Sequence, residues 1–303
     1  MFSSNKKILV LSGGGTKGIC QLGLLHFFEE NNYINFSDIN VYCGTSVGSI
    51  ICFLLICGFK PIEIFSYIYN IDSIFENIQI RDFINQEKCI RGFGIVSIDI
   101  IEKHIRKIID SKNNINSCVI DPDITFLELY EKFGIEFIVT GTNITFARIE
   151  YFDYVNNPNL KCIDAIKISC CIPFIFQKIS YNNCFYSDGG IMDNYPIRYI
   201  YEKYSFAKII GIASISKNNS SDSNIFGYTY SFVNLPIKML TQLSCKYIQE
   251  LDFNENVESY TIYVYDVPFL GINMTTEDKM RLFMRGYSEG KFQKNCQNLK
   301  LQV

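Results

Sequence analysis

The sequence predicts an α/β fold built around a central, mostly parallel β-sheet. Two apolar runs that are typical of buried strands, Lys7 to Leu11 and Ile39 to Cys43, lie near the start of the chain. Each is followed by a glycine-containing turn and then by a stretch long enough for a helix, Ile19 to Asn31 and Ser49 to Gly58. Strands that alternate with helices in this way form parallel sheets, because each helix carries the chain back across the sheet.

The rest of the chain supplies further helices and strands. The spacing of apolar residues predicts helices over Ile64 to Tyr69, Asp99 to Ile109, Ile124 to Phe133, Asp164 to Cys171 and Thr276 to Asn295, and one within Phe226 to Asp252. Short apolar or β-rich runs predict strands over Ile135 to Thr140, Glu150 to Tyr154, Phe174 to Phe176, Cys184 to Tyr186, Lys208 to Ser214 and Ser259 to Val267. The polar stretch Ser216 to Asn224 predicts a loop rather than a linker between domains.

The composition indicates a protein with a large hydrophobic core. Of the 303 residues, 48% are hydrophobic and 19% are charged, which excludes intrinsic disorder. The net charge of −3 gives no basic surplus, so nucleic acid is not an expected partner. The 12 cysteines are scattered without a Cys-x-x-Cys pair, which predicts reduced thiols in an intracellular protein and no metal site.

The chain shows no targeting or membrane-spanning pattern. The stretch Met1 to Lys7 has no signal-peptide core, and Phe2 excludes N-myristoylation, which needs glycine at that position. The longest apolar run, Ile50 to Cys57, is far shorter than the ~20 residues that a bilayer span needs. We therefore predict a cytoplasmic protein without a signal peptide or transmembrane helix, whose contact with membranes is peripheral.

The segment Gly44-Thr45-Ser46-Val47-Gly48 lies between a predicted strand and a predicted helix. A serine between two glycines at such a sharp turn is the nucleophile-elbow pattern. Glycine is expected on both sides because a Cβ there would clash in so tight a turn. The N-terminus of the following helix favours negative charge close to Ser46. Turns of small residues also arise from packing alone, so this motif by itself leaves both interpretations open.

A glycine-rich loop, Ser12 to Gly18, follows the first strand. Successive N–H groups at the start of a helix form an anion nest, and beside an elbow serine such a nest would be an oxyanion hole. The candidate residues are Gly13, Gly14, Gly15, Thr16, Lys17 and Gly18. The loop also fits the dinucleotide fingerprint G-x-G-x-x-G, but the second strand ends in Gly44-Thr45-Ser46 instead of the acidic residue that this fingerprint needs. Nucleotide binding stays open as an alternative function.

A serine nucleophile needs a base, and this chain offers few candidates. It has 2 histidines: His26 is carried away from the glycine loop by its helix, and His104 lies in the polar register of its helix, which predicts a surface position. Asp188 ends a predicted strand and is followed by Gly189 and Gly190, which let another stretch of backbone approach. A Ser46–Asp188 dyad is therefore the simplest arrangement, although Asp-Gly is also an ordinary turn dipeptide.

Taken in order along the chain, these motifs resemble those of the patatin-like phospholipase family. The resemblance rests on Gly13 to Gly18, Gly44 to Gly48 and Asp188-Gly189-Gly190. Connecting segments also fit the family, namely Thr125 to Tyr130, Val139 to Asn143, Ala165 to Ser169, Ile172 to Phe176 and Asn194-Tyr195-Pro196. The resemblance implies a three-layer α/β/α fold with a mostly parallel central sheet. It makes residues 7–213 the core of the domain, and we expect residues 214–303 to continue the same domain.

The resemblance also implies a function. Ser46 would be the nucleophile, Asp188 the base, and the glycine loop the source of oxyanion N–H donors. The implied reaction is hydrolysis of a fatty-acyl ester of a glycerolipid or phospholipid through an acyl-enzyme, with no cofactor and no metal. A non-catalytic lipid-binding protein, a thioesterase and an acyltransferase of the same fold remain alternatives.

Two features depart from the family pattern. Lys17 stands where arginine is common, which changes how an anion would be held. Cys170-Cys171 replaces a pair of small serine or alanine residues. Neither departure removes a catalytic group, so we expect an active enzyme.

Contact with lipid would need apolar surface near the site. Two segments are candidates, Phe75 to Phe93 and Phe226 to Leu243, the second because four aromatic residues alternate along its start. We predict that the second segment helps to dock the protein on a bilayer, whereas ordinary core packing is the alternative for both.

Overall fold

The computed structural model describes residues 6–71, 94–113, 120–216, 255–265 and 274–300. Its strands are β1 (Lys7–Leu11), β2 (Val41–Gly44), β3 (Gly94–Val96), β4 (Glu136–Asn143), β5 (Arg148–Phe152), β6 (Phe174–Phe176), β7 (Ile179–Tyr181), β8 (Cys184–Asp188), β9 (Lys208–Ser216) and β10 (Val257–Val264). Its α-helices are α1 (Gly18–Glu30), α2 (Val47–Ile56), α3 (Pro61–Asn70), α4 (Asp99–Asn113), α5 (Phe126–Phe133), α6 (Cys162–Ser169), α7 (Ile197–Lys203) and α8 (Thr276–Lys300). Short 3-10 helices occur over Gly15–Lys17, Phe36–Asp38 and Gly189–Ile191.

An eight-stranded sheet forms the centre of the fold, in the order β10-β9-β1-β2-β4-β8-β7, with β5 also paired to β4. The strands from β10 to β4 are parallel, whereas β5, β7 and β8 join through antiparallel pairs. Leu11 pairs with Gly44, so the carboxyl ends of β1 and β2 meet at the same edge of the sheet. The prediction of an α/β fold with a mostly parallel central sheet is confirmed. β3 and β6 form a separate two-stranded parallel sheet.

The two faces of the sheet are covered unequally. Alternate residues of β1 point to opposite faces, so that Leu9 and Leu11 join a large core, whereas Ile8 and Val10 join a smaller one. Buried residues from the other helices fill the large core, and α7 supplies Ile197 to the smaller one. The sheet therefore lies between two helical layers, of which α7 makes the thinner one in the described part of the chain.

The C-terminal elements pack on this same sheet and its helices. β10 lies parallel to β9, and α8 crosses α1 where glycines let the two backbones approach. A Cβ built on Gly23 would overlap the carbonyl oxygen of Phe283, and one built on Gly286 would overlap that of Cys20. Larger residues at either glycine would therefore force the two helices apart.

The ends of the elements differ from the predicted ones by a few residues, because capping contacts and not apolar spacing decide where a helix begins. α5 begins at Phe126, since Thr125 and Glu128 close a capping box in which each side chain accepts the other residue's backbone N–H. β9 runs on to Ser216, the first residue of the stretch predicted as a loop.

Several predictions fall on residues outside the described ranges. These are the helix within Phe226 to Asp252, the predicted loop after Ser216, and both segments expected to touch lipid, Phe75 to Phe93 and Phe226 to Leu243. Within the described ranges, every helix is too short or too polar to cross a bilayer.

Candidate active site

Ser46 occupies a tight turn between the end of β2 and the start of α2. Its backbone has φ 51° and ψ −125°, a conformation that costs a non-glycine residue energy. The glycines on either side have no room for a side chain. A Cβ on Gly44 would lie 2.5 Å from the nitrogen of Ser49, and one on Gly48 would lie 2.5 Å from the carbonyl oxygen of Leu11. Close backbone contacts thus hold the strained turn and set the direction of the Ser46 side chain.

The Ser46 hydroxyl donates to Oδ2 of Asp188 at 2.7 Å, although the two residues are 142 positions apart in sequence. Asp188 is the last residue of β8, which pairs antiparallel with β4 and sets Asp188 opposite Gly141. The other carboxylate oxygen, Oδ1, accepts the backbone N–H of Gly190 at 2.7 Å. Both oxygens of the carboxylate are therefore held, one by the main chain and one by the serine.

Burial raises the pKa of Asp188 to about 6, and the hydrogen bonds from Ser46 and Gly190 offset only part of this rise. At neutral pH the carboxylate is ionised, yet it binds a proton more readily than an exposed aspartate does. A carboxylate in this state suits general-base chemistry near neutral pH.

The Asp-Gly-Gly turn depends on its two glycines. A Cβ on Gly189 would overlap Thr140 of β4, and one on Gly190 would lie 2.6 Å from Oδ1 of Asn194. The turn that follows Asp188 can therefore fit against β4 and against Asn194 only without side chains at these positions.

The glycine loop after β1 runs beside the Ser46 turn. A Cβ on Gly13 would lie 3.3 Å from the Cβ of Ser46, and one on Gly18 would lie 2.5 Å from a methyl group of Val47. Thr16 and Gly15 line the same cavity as Ser46. The loop, the serine turn and the Asp-Gly-Gly turn thus meet at one end of the sheet.

The backbone N–H groups of the glycine loop are not equally available. Four of them donate to backbone oxygens of the fold, those of Ser12, Gly13, Lys17 and Gly18. The N–H groups of Gly14 and Gly15 donate to no other described residue. The side chain of Lys17 is buried, and its ammonium group donates to Oγ of Ser216 at 3.3 Å. Of the six residues predicted to supply oxyanion donors, Gly13, Lys17 and Gly18 therefore already use their N–H groups in other backbone hydrogen bonds.

The segment Asp193 to Tyr195 joins these turns. The carbonyl oxygen of Asp193 accepts the Thr45 hydroxyl at 3.1 Å, and that of Asn194 accepts the Gly13 N–H at 3.0 Å. The carboxylate of Asp193 accepts the Tyr151 hydroxyl at 2.7 Å, and desolvation raises the pKa of this carboxyl to about 6. One short segment therefore contacts both the serine turn and the glycine loop.

For two of the three residues that support the site, Tyr151 and Asp193, the sequence carries no local signal. Tyr151 and Asp193 meet only because β5 lies against the segment after β8. The Ser169 hydroxyl, at the end of α6, accepts the backbone N–H of Ser46 at 2.8 Å. Ser169 lies in the stretch Ala165 to Ser169 that fits the family pattern, and Asn194-Tyr195-Pro196 adjoins Asp193, so these two matches were the sequence signals nearest to this support.

An apolar cavity of about 200 Å³ lies beside Ser46. Its wall is mainly aliphatic and includes Leu22, Ile50, Leu54, Ile64, Ile105 and Ile108. These residues come from four helices, α1 to α4, on the side of the sheet with the large core. The cavity therefore suits a hydrocarbon group held close to the serine hydroxyl.

His104 lines this cavity, so the prediction that it lies on the surface is wrong. It is half-buried on α4, and its Nδ1 lies 3.2 Å from the Tyr67 hydroxyl on α3. Burial lowers the pKa of His104, which leaves the ring neutral at pH 7. His104 was predicted at the surface because it lies among the polar residues of α4. The sequence could not show that Tyr67 of α3 contacts this position.

His26 lies away from the serine turn, on the face of α1 that meets α8. Its ring centroid is 5.7 Å from that of Phe283 and 6.0 Å from that of Tyr287. This histidine therefore belongs to the α1–α8 contact.

Cys170 lines the cavity next to Ser46. Burial raises the pKa of this thiol well above its usual range. The thiol is therefore protonated at neutral pH, which makes it a poor nucleophile.

The sheet and the serine turn place the protein in the class of α/β proteins that present a serine on a strand-to-helix turn. In this protein the serine donates to an aspartate at the end of another strand. A family model described as patatin-like phospholipase matches residues 9–201, which is more than half of the chain. The chain belongs to the patatin-like phospholipase family.

Two viral proteins and one solved structure are similar to this chain. The probable lipid hydrolase 463L of Invertebrate iridescent virus 6 is 37% identical over 196 residues, 63% of this chain and 62% of that protein. The uncharacterized protein R571 of Acanthamoeba polyphaga mimivirus is 29% identical over 274 residues, 84% of this chain and 86% of that protein. The crystal structure of VipD from Legionella pneumophila aligns with a TM-score of 0.53 at 18% identity, over 94% of this chain and 66% of that chain. VipD therefore shares the fold, and this chain spans less than two thirds of VipD and of 463L.

Proposed function

We propose that this protein is a lipid acyl hydrolase that cleaves fatty-acyl esters of glycerolipids or phospholipids, with Ser46 as nucleophile and Asp188 as base. The observation that carries the proposal is the 2.7 Å bond from Ser46 Oγ to Asp188 Oδ2 beside an apolar cavity. Membership of the patatin-like phospholipase family supports the reaction class. The name of the iridescent virus relative, a probable lipid hydrolase, supports a lipid substrate.

In the first half of the proposed reaction, Asp188 takes the hydroxyl proton while Ser46 Oγ bonds to the acyl carbonyl carbon. The carbonyl electron pair moves to oxygen and forms a tetrahedral oxyanion. When this intermediate collapses, the ester C–O bond breaks and the departing alkoxide takes the proton from Asp188. The alcohol leaves, and the acyl group stays on Ser46 Oγ.

In the second half, a water molecule replaces the alcohol. Asp188 takes one proton from the water while its oxygen bonds to the acyl carbon. Collapse of the second oxyanion breaks the bond to Ser46 Oγ, and the proton returns from Asp188 to the serine. The products are a fatty acid and the regenerated Ser46–Asp188 pair.

We assign the oxyanion to the N–H groups of Gly14 and Gly15. They donate to no other described residue, and Gly15 lines the cavity together with Ser46. Fixed main-chain donors stabilise developing negative charge without reorganising, which is the main requirement of an oxyanion hole. The remaining residues of the loop would hold these two donors in place.

The aliphatic cavity is the proposed site for the acyl chain. Its wall comes mainly from isoleucine and leucine side chains, and Ser46 lies on the same wall. A hydrocarbon chain in this cavity would bring its ester carbonyl to Ser46 Oγ. The head of the lipid would then point out of the cavity.

We also infer that residues 214–303 continue the same domain. Two contacts support this view: β10 extends the sheet next to β9, and α8 packs on α1. The C-terminal segment would then be needed for the site, because α1 starts directly after the glycine loop.

The test is fatty-acid release from phospholipid vesicles in the presence of EDTA. Wild type is compared with Ser46→Ala and Asp188→Asn, and with Ser180→Ala, which removes an exposed serine hydroxyl from β7. Circular dichroism and thermal unfolding establish that each variant folds.

We expect release by wild type and Ser180→Ala, and a loss of at least a thousandfold in Ser46→Ala, because no other nucleophile replaces the hydroxyl. Asp188→Asn should lose about a hundredfold or more, since the amide cannot accept the proton. Activity that survives Ser46→Ala would overturn the mechanism. A folded wild type without activity on phospholipid, triacylglycerol or a soluble ester would overturn the proposed function.

A further inference from the structure

Three large apolar side chains are exposed together at one corner of the molecule. Ile144 and Phe146 lie in the turn between β4 and β5, and Phe185 lies in the adjacent strand β8, with exposed fractions of 56%, 60% and 49%. Two hydrogen bonds join the turn to β8: the Ile144 N–H donates to the Phe185 carbonyl at 2.9 Å, and the Phe185 N–H donates to Thr145 Oγ1 at 2.9 Å. We call Ile144, Phe146 and Phe185 the apolar tip.

The apolar tip projects from the end of the sheet that carries Ser46. Gly44, two residues before Ser46, pairs with Val139, and β4 continues four residues further to Asn143. At about 3.3 Å per residue, the end of β4 extends roughly 13 Å beyond the level of Gly44. Asp188 pairs with Gly141, so it also lies short of the tip. A surface that met the tip would therefore face the serine end of the sheet.

Two cationic side chains lie over the aromatic rings of the apolar tip. The Arg148 guanidinium is 5.2 Å from the centroid of the Phe146 ring, and the Lys178 ammonium is 5.4 Å from that of Phe185. Arg148 also pairs with Glu150 at 2.8 Å, whereas Lys178 forms no ion pair with a described residue. Apolar side chains beside basic groups suit the boundary of a bilayer, where rings enter the acyl region and cations meet phosphate.

The size of the apolar tip favours a bilayer over a protein partner. A stable protein interface buries about 800 Å² on each partner, which three side chains at a turn cannot supply. Insertion into a bilayer needs no matching shape, and it requires only that apolar side chains protrude.

We propose that the apolar tip inserts into an anionic lipid bilayer and turns the Ser46 end of the sheet towards the lipid. The purpose of this docking rests on the proposed function, because docking would bring the cavity next to its lipid substrate. Binding itself does not require turnover. The two can therefore fail separately.

The chain contains no tryptophan, which provides a direct test of insertion. Phe146→Trp places a single fluorophore in the apolar tip. The matched control is Phe206→Trp: Phe206 is 70% exposed and precedes β9 at the opposite end of the sheet. Both are made in the Ser46→Ala background, so that vesicles are not consumed. Phosphatidylcholine vesicles with and without phosphatidylserine are then added.

We expect the emission of Phe146→Trp to shift to shorter wavelength with vesicles that contain phosphatidylserine, and that of Phe206→Trp to stay unchanged. Emission that is unchanged in both, or shifted equally in both, would overturn the proposal. A shift that grows with protein concentration in the absence of vesicles would show a second copy at the tip and would also overturn it.

A second set of variants keeps the test independent of the fluorophore. Ile144→Ser combined with Phe146→Ser should weaken sedimentation with the same vesicles by about tenfold or more, whereas Phe206→Ser should not. On a soluble short-chain ester the paired variant should match wild type, which separates docking from chemistry. Vesicle binding that is equal in the paired variant and in Phe206→Ser would contradict the proposal.

Discussion

The backbone N–H of Gly13 donates to the carbonyl oxygen of Asn194 at 3.0 Å, which joins the glycine loop to the segment after the Asp-Gly-Gly turn across 181 residues. The side-chain nitrogen of Asn194 lies 3.5 Å from the Gly13 carbonyl oxygen, along the same contact. One stretch of the chain therefore carries the proposed base, Asp188, and, at Asn194, a contact to the loop that supplies the oxyanion donors we assign.

This contact predicts that Gly13→Ala lowers activity strongly while the protein still folds. A Cβ at Gly13 would lie 2.5 Å from Oδ1 of Asn194 and 3.3 Å from the Cβ of Ser46. The loop must shift to relieve the overlap, and a shift of a few tenths of an ångström misplaces oxyanion donors. We expect kcat to fall by about a hundredfold on a soluble ester, with a smaller change in KM.

The double variant Gly13→Ala with Asn194→Ala is the matched control. Asn194→Ala removes the Oδ1 atom that the new Cβ would meet, so Gly13→Ala should cost less in this background than in wild type. Equal costs in the two backgrounds would show that overlap with Asn194 Oδ1 is not what lowers the activity of Gly13→Ala.

The raised pKa of Asp188 predicts an acid limb in the pH profile. Asp188 must be ionised to accept the Ser46 proton, so kcat/KM should fall as the pH drops below about 6 and should level off above it. Desolvation also raises the pKa of Asp193 to about 6, so the profile is measured again in Asp193→Asn. The acid limb should persist in that variant. Its disappearance would assign the limb to Asp193.

The same pKa predicts that Asp188→Asn makes the protein more stable at neutral pH. The folded pKa, about 6, lies above the ordinary value of 3.8, so the folded state binds the proton more tightly. The stabilisation from the protonated form is complete below pH 3.8 and is lost as the pH rises through 6. Asparagine does not ionise, and we expect a gain of up to about 3 kcal/mol at neutral pH.

Urea unfolding at pH 8 and at pH 4 measures this gain, which should shrink at the lower pH. Asp164→Asn, on the more exposed surface of α6, is the matched control and should change stability little at either pH. A gain that is the same at both values of pH would come from something other than the ionisation of Asp188.

The hydrogen bond from Tyr151 to Asp193 predicts a loss of stability in Tyr151→Phe. The Tyr151 hydroxyl donates to Asp193 Oδ2 at 2.7 Å, and its removal leaves a desolvated carboxylate oxygen without that donor. We expect the free energy of unfolding to fall by about 1–3 kcal/mol, measured by urea titration. Tyr33→Phe, at an exposed tyrosine, should have almost no effect. Equal losses of stability in the two variants would mean that removing any tyrosine hydroxyl has this effect, and that the bond to Asp193 is not its cause.

The helix crossing predicts that Gly286→Ala loosens α8 from α1. A Cβ at Gly286 would overlap the carbonyl oxygen of Cys20, and backbone cannot move aside as a side chain can. We expect destabilisation of about 2 kcal/mol or more, together with faster amide hydrogen exchange in α8. Ser288→Ala, at an exposed position of the same helix, is the control and should be neutral or slightly stabilising. If Gly286→Ala changed neither the free energy of unfolding nor the amide exchange of α8, this crossing would not be what holds α8 in place.

The glycines of the turns could be predicted because their requirement is local. Gly44 and Gly48 flank a serine between a strand and a helix, and the clash that a Cβ would cause follows from the sharpness of that turn alone. The apolar runs of β1 and β2 are local in the same sense, since a strand buried on both faces needs apolar residues throughout.

The position of His104 could not be predicted from the sequence. Its position in α4 looked polar, but Tyr67, 37 residues earlier, covers it and makes it part of the cavity wall. The apolar tip is a similar case, because Phe185 and Ile144 are 41 positions apart and meet only through the pairing of β8 with β4.

Local sequence patterns were enough to predict the alternation of strands and helices and the turns that need glycine, and they suggested the pairing of a turn serine with a strand-end aspartate as a hypothesis. Which N–H groups of the glycine loop donate to other described residues, which residues support the serine turn, and what lines the cavity depend on the tertiary structure. The physical reason is distance along the chain. Backbone sterics and apolar spacing act between neighbours, whereas hydrogen bonds such as Tyr151 to Asp193 depend on how remote strands and loops come together.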